Sequence, residues 1–215
     1  QLFNYNRRFT ASTGPCFNPA GCARAEPFRR RCKMSTAKVL RTADDGVAEG
    51  EEALDTSPAR VEVLYRQLRE EAEYGYPRTE VKRSLIHNLG LFATRDIERH
   101  DMVVEYVGEL VRFRVGDLRD ERALAKGQST YMFRLDDERI VDAMHAGNVS
   151  RYMNHSCQPN CCASVIEACG SRRIGVFALR DIARGEEITY DYKLPMEAIK
   201  IPCHCGAPEC RGYLN

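Results

Sequence analysis

The chain has 215 residues, 43% of them hydrophobic, and its 32 basic and 31 acidic side chains leave a net charge of +1. That length holds one domain with flanks or at most two small ones. No run approaches the ~18 apolar residues of a membrane span, which reads as a soluble chain, and the balanced charge gives no global reason to bind nucleic acid. Ten cysteines without a secretory signal pattern point to metal binding in a reducing compartment rather than to a disulfide framework. Gln1 in place of an initiator methionine reads as a piece of a longer protein.

Residues 1–56 read as flexible linker. Gly, Pro, Ser, Thr and charges interrupt every apolar run, and Asp44, Asp45, Glu49, Glu51, Glu52 and Asp55 share no periodic apolar face. Within 18–26, Arg24 stands between Ala23 and Ala25, small neighbours that leave its guanidinium fork able to enter a narrow pocket. By itself such a piece reads as plain linker. Arg29, Arg30, Arg31 and Lys33 suit a nuclear import signal, a phosphate contact or a solvated basic loop equally. Cys16, Cys22 and Cys32 stay unassigned.

Order is expected from Ser57, an N-cap, and Pro58 at the first helical position, with Val61, Leu64, Tyr65, Leu68 and Ala72 at helical spacing and an end before Gly75 and Pro77. This N-flanking segment, 57–80, is either a brace for the domain beyond it or simply an amphipathic helix packed on that domain. Short strands are expected at 80–85, 91–93, 102–107, 130–135, 176–178 and 187–190, with a helix over 114–126. The segment Phe92-Ala93-x-Arg95-Asp96-Ile97-x-Arg99 recurs 85 residues later as Phe177-Ala178-x-Arg180-Asp181-Ile182-x-Arg184. Both copies read as one strand-turn-strand device, Phe and Ile in the core and Arg-Asp in the turn. Two such units flanking an insert predict a mostly β domain with short helices.

The chemistry gathers in three distant pieces. The tail offers Cys203, Cys205 and Cys210 as C-x-C-x4-C, and a tetrahedral zinc site needs a fourth ligand from elsewhere. Cys157, at the end of Arg151-Tyr152-Met153-Asn154-His155-Ser156-Cys157, is the candidate. Pinning the tail there would fold it over the Asn-His-Ser turn, enclose Thr189-Tyr190-Asp191-Tyr192 and close a pocket. Cys161, Cys162 and Cys169 have no second ligand spacing and read as core thiols.

These pieces resemble the SET domain of protein lysine methyltransferases, with its N-H-S-C and Y-D-Y motifs and post-SET zinc tail, from about Val81 to Asn215. Tyr131-Met132-Phe133-Arg134-Leu135-Asp136-Asp137, Asn154-His155-Ser156-Cys157-x-Pro159-Asn160-Cys161 and Tyr190-Asp191-Tyr192-Lys193 are similar to the trithorax/MLL (COMPASS-type) branch, which methylates lysine 4 of histone H3. The resemblance implies a β-clip type SET fold of several small sheets over 81–194, with a C-terminal pseudoknot, an exception to unknotted connections, and a zinc-bound post-SET segment over 195–215. It implies methyl transfer from S-adenosylmethionine to H3 lysine 4, mainly monomethylation alone, activation within a multi-subunit complex, and a nuclear, chromatin location.

By motif, Tyr192 matches the family's catalytic tyrosine and Tyr190 its Tyr/Phe switch. Tyr131 joins them, and Phe133, Tyr190 and Tyr192 line the lysine channel. The lysine must enter neutral although its free pKa is about 10.4. His87, Leu89 and Gly90 match the cofactor loop after the first strand. Asn88 stands there for the usual glycine and is one of the few other residues that tolerate positive φ. Arg151, Asn154 and His155 match the second cofactor region, His155 as a fixed turn rather than a general base, and His204 and Leu214 match the cover over the adenine. Structural Zn2+ would sit on Cys157, Cys203, Cys205 and Cys210.

Beside such a domain the Arg24 segment resembles the arginine motif that docks into a WD-repeat propeller, which implies the propeller and other COMPASS-type core subunits as partners. The histone H3 tail would lie along an edge strand. Neither a membrane nor sequence-specific nucleic acid is implied. Leu194 departs from the family's phenylalanine, and the hinge between Pro195 and Cys203 is two residues short. A catalytically weak SET scaffold, or methylation of another lysine, is the alternative; Tyr192, Asn154 and the complete cysteine set favour the enzyme.

Overall fold

The computed structural model describes residues 54–128, 131–194, 196 and 198–215. The Arg24 motif with Ala23 and Ala25, the basic cluster at 29–33 and almost all of the linker lie outside the described residues. Helix α1, Pro58–Glu73, starts where Ser57 and Pro58 predict, although the Ser57 side chain makes no cap hydrogen bond. Its backbone carbonyl accepts the first helical hydrogen bond, from the Val61 N–H at 3.0 Å. The face carrying Val61, Leu64 and Tyr65 packs against Met102, Ile166, Ala168 and Phe177, and the chain leaves through Gly75 at φ +82°, a conformation only glycine adopts without strain. No described helix is long and apolar enough to cross a membrane.

The rest is mostly β. Strands β1 (Thr79–Arg83), β2 (Leu89–Ala93), β3 (Met102–Tyr106) and β4 (Gly108–Arg112) are followed by α2 (Phe113–Ala125). Then come β5 (Met132–Arg134), β6 (Arg139–Gly147), a 3-10 turn (Val149–Tyr152), β7 (Asn154–His155), β8 (Cys161–Ala168), β9 (Ser171–Ala178) and β10 (Glu187–Tyr190). A seven-stranded sheet runs β1-β2-β10-β8-β9-β3 with β7 joined to β10, and a three-stranded sheet runs β4-β6-β5. Strands β4, β6, β7 and β8 were not expected from the sequence. Strand β6 keeps Asp142 wholly buried and β8 buries consecutive residues, so neither shows the apolar-polar alternation of a half-buried strand.

The repeat turns out to be a reciprocal pair. Ile97 and Ile182 exchange both backbone hydrogen bonds at 2.9 Å and are nearly without exposure, 3% and 1%. The carboxylate of Asp181 accepts the Arg99 N–H at 2.8 Å, and that of Asp96 accepts the Arg184 N–H at 2.8 Å. Gly185 N–H reaches the Ala93 carbonyl, and His100 N–H reaches the Ala178 carbonyl, both at 2.8 Å. Each turn closes on itself, Asp101 N–H on the Glu98 carbonyl and Glu186 N–H on the Ala183 carbonyl, both at 3.1 Å, and is then fastened to the other copy through the Asp carboxylates.

Equivalent bonds should carry equal weight. Asp96→Ala and Asp181→Ala are each expected to cost about 1 kcal/mol, lowering the urea midpoint by similar amounts with the slope unchanged. A cost confined to one of the two would show that the turns are not equivalent.

Candidate active site

Strand β10 is where the distant motifs meet. Its antiparallel partner is β2, through Glu187↔Phe92 and Ile188↔Leu91. On the other side it runs parallel to β7, Thr189 beside Asn154 and Tyr190 beside His155. Backbone pairing alone thus sets the Asn-His-Ser turn against the Tyr-Asp-Tyr segment, and the Ser156 N–H closes the contact on the Tyr190 carbonyl at 3.2 Å.

A chain of rings extends from this junction. Tyr106 lies 4.4 Å from Phe133, Phe133 5.4 Å from Tyr190, Tyr190 4.9 Å from Tyr192 and Tyr192 5.3 Å from His155, between ring centroids. The Tyr106 hydroxyl donates to the Tyr131 carbonyl and the Tyr192 hydroxyl to the Met153 carbonyl, each at 2.9 Å. Phe133 is entirely without exposed surface, so it backs Tyr190 from within the core. Burial, reinforced by neighbouring ionisable groups, drives the hydroxyls of Tyr106, Tyr190 and Tyr192 well above the ordinary phenol range. These groups can donate, accept and orient; they do not act as phenolate bases near neutral pH. Tyr106 was missed in the sequence, where a single tyrosine at a strand end carries no distinguishing signal.

Beside the rings, the Arg151 guanidinium lies 4.3 Å from the Tyr131 ring centroid, a cation–π distance, and donates to the Met144 carbonyl at 3.0 Å. Among the described residues its Nε is buried without a hydrogen-bond partner, a donor that a bound polar group would satisfy.

The loop leading into β2 is fastened from below. Asn88 has φ +44°, the left-handed conformation anticipated for it. The Ser84 hydroxyl sits 2.8 Å from Glu187 Oε1 and receives the Ile86 N–H at 2.9 Å. Asn154 Nδ2 lies 2.7 Å from Glu187 Oε1, 3.0 Å from Ser84 Oγ and 3.1 Å from the Leu89 carbonyl. A Cβ on buried Gly90 would collide with the Glu187 carboxylate, so a larger residue there would push Glu187 away from Ser84 and Asn154. Here the Asn154 amide ties the loop to β7, while His87 at the loop's tip is exposed. Ser84 and Glu187 escaped the sequence reading because nothing in the spacing links residues 103 apart.

The tail completes the junction. The sulfurs of Cys157, Cys203, Cys205 and Cys210 all lie within 4.8 Å of one another, with Cys157 3.8 Å from both Cys203 and Cys210. A tetrahedron with zinc–sulfur bonds of about 2.3 Å has edges of about 3.8 Å, so the donor set and its size fit a structural zinc. Arg211 grips Asp191 through two bonds of 3.2 and 3.0 Å. Burial would raise the Asp191 carboxyl, but Arg211 and the Lys193 N–H outweigh it and hold the pKa below its usual value. His204 is exposed and Leu214 half-buried, its N–H on the Ile201 carbonyl at 2.8 Å.

The family model for the SET domain matches residues 88–193. The chain is 39% identical over 225 residues, 99% of its length, to a Drosophila melanogaster protein named histone-lysine N-methyltransferase trr. It is 56% identical over 133 residues, 61% of its length, to a Schizosaccharomyces pombe protein named histone-lysine N-methyltransferase, H3 lysine-4 specific. To human histone-lysine N-methyltransferase 2B it is 39% identical over 229 residues, 99% of its length. The chain spans only 9%, 14% and 8% of these relatives.

The cluster makes a direct demand. The chain should take up about one zinc, and Cys157→Ser should weaken zinc retention against a chelator at least about tenfold, because one of four thiolate ligands is lost. Equal retention by the serine variant would remove Cys157 from the ligand set.

Proposed function

This chain belongs to the SET-domain family, and on that premise we propose that it is the catalytic end of an S-adenosylmethionine-dependent histone-lysine methyltransferase acting on lysine 4 of histone H3. The observation that carries the reading is the β7–β10 pairing. It sets Asn154 and His155 beside the two tyrosines and joins a thiolate cluster to the same junction, a combination that a docking scaffold has no need to build.

On this reading 57–80 flanks a SET domain over 81–194 and 195–215 is the zinc segment. S-adenosylmethionine supplies a methyl group on a sulfonium, and no metal is needed for its transfer. His87, Leu89, Gly90, Tyr131, Arg151, Asn154 and the backbone of His155 would hold it, with His204 and Leu214 covering the adenine. Zinc on Cys157, Cys203, Cys205 and Cys210 would stabilise that cover.

The target lysine enters a channel lined by Tyr190 and Tyr192, with Phe133 behind them. Water-poor aromatic walls disfavour the ammonium form, so the ammonium loses its proton to water and the neutral amine presents a lone pair. Tyr192, its hydroxyl directed by the Met153 carbonyl, holds the reacting groups in line, and alignment of this kind makes a bimolecular step effectively unimolecular. The Tyr190 hydroxyl takes up room and hydrogen-bonds the amine, which opposes rotation of a methylated lysine and favours monomethylation by the isolated domain. Arg24, with Ala23 and Ala25, would dock a WD-repeat propeller, whose assembly with companion subunits activates the enzyme on chromatin in the nucleus.

Transfer from labelled S-adenosylmethionine should mark H3 peptides with lysine 4 and not those with it replaced, more strongly with the propeller and its companions present. Tyr192→Phe should cut the rate about 10²-fold, the scale of a misplaced reacting group. Label that survives loss of lysine 4 would move the substrate to another lysine, and no label in any assembly would leave a zinc-bearing scaffold. Tyr190→Phe should yield di- and trimethyl peptide by mass spectrometry; trimethyl product from the unaltered chain alone would refute the role of that hydroxyl.

A further inference from the structure

His155 lies between the thiolate cluster and the Tyr-Asp-Tyr segment, 3% exposed, and its two ring nitrogens face different partners. Nδ1 receives the backbone N–H of Tyr192 at 3.1 Å. Nε2 lies 3.4 Å from Cys157 Sγ. A neutral imidazole carries one N–H, and the nitrogen that accepts a hydrogen bond is the other one. With Nδ1 accepting, the proton stands on Nε2 and points at the sulfur. The Asp191 carboxylate, 3.4 Å from Nδ1, does not compete for a ring proton there, because Lys193 N–H and Arg211 already occupy it at 2.9 and 3.0 Å.

We infer that His155 is a positioning residue which donates Nε2–H to the Cys157 thiolate and accepts the Tyr192 N–H, so that the metal ligand sets the place of the tyrosine. The inference rests on the methyltransferase reading only in its last step, where Tyr192 touches the reacting groups. The ring is locked at both ends and at its edge, 5.3 Å from the Tyr192 ring at 71°, and its backbone is locked by pairing with Tyr190. A hydrogen bond to a coordinating thiolate draws charge from the sulfur and fixes its orientation, as outer partners of metal ligands generally do. A core histidine present only for packing needs neither that tautomer nor that sulfur contact.

Three readouts on the full chain test it. Long-range 15N–1H spectra of the zinc-loaded, histidine-labelled protein should show His155 as the neutral Nε2–H tautomer. An Nδ1–H tautomer would overturn the relay, and this arm needs no variant to fold. With cobalt in place of zinc, the sulfur-to-cobalt charge-transfer band should shift to lower energy in His155→Phe, because a thiolate without its donor gives up electrons more readily; an unmoved band overturns the sulfur contact. At equal zinc content, His155→Phe should lower kcat about tenfold while the KM for S-adenosylmethionine changes less than about twofold, the pattern of a lost interaction specific to the transition state. His155→Gln, which keeps one acceptor and one donor, should recover part of the rate. Loss of kcat and KM in proportion, with no recovery by glutamine, would reduce His155 to packing. The spectroscopic arms do not depend on turnover, so an inactive chain with the expected tautomer and shifted band would sink the enzyme and leave the relay standing.

Discussion

Four residues, Glu187 to Tyr190, bear most of what the site requires. Strand β10 is paired antiparallel to β2 and parallel to β7 and β8, so it has no free edge, and Ile188 and Tyr190 are buried at 0% and 3%. Parallel neighbours cannot be joined by a tight turn; the chain between β7 and β10 must travel through β8, β9 and the second repeat turn before returning. The position of each functional side chain is therefore fixed by a register, not by a local bend. A slip of one residue would turn Tyr190 away from Phe133 and put Glu187 out of reach of Ser84 and Asn154.

Around this strand the buried charges are spent on joining elements. Arg119 on α2 contacts Glu109 on β4 and Asp142 on β6, the latter at 2.6 Å and wholly buried. Asp142 also receives the Met144 N–H, and the next residue, Ala143, donates to the Tyr131 carbonyl at 2.8 Å. Arg78 holds Glu71 of α1 and both the carboxylate of Asp101 and the carbonyl of Met102. A buried pair of this sort adds little net stability over a packed apolar pair, yet losing one partner is costly. Such pairs penalise misplacement of the helices more than they reward folding.

How much was legible depends on which signals are local. Helix α1 and strands β2, β3 and β10 declare themselves through periodicity and turn residues. The thiolate cluster is legible because ligand spacing in the tail leaves one place vacant and Cys157, at the end of the Asn-His-Ser turn, is the natural candidate to fill it. Asn88 could be read as a left-handed turn from residue type alone. Strands β6 and β8 could not, since burial on both faces erases the period. The Ser84–Glu187–Asn154 knot, the Tyr106 hydroxyl under Tyr131 and the partners of His155 join residues that only the register brings together. The repeat was visible as a repetition; that each copy fastens the other was not.

That reciprocity has a consequence for the order in which the chain takes shape at the ribosome. Ile97 and the Arg99 N–H meet Ile182 and Asp181 respectively, and β2 finds β10 only after Glu187 and Ile188 have been made. More than a third of the chain must be synthesised between the two halves of each bond, and contacts so distant in sequence form slowly because loop entropy is lost before they can repay it. Strand β2, its edge still open toward the missing β10, is exposed throughout that interval. Such an edge is the feature that invites association with other nascent chains, so a chain of this design depends on the speed with which the residues from Glu187 onward join the rest.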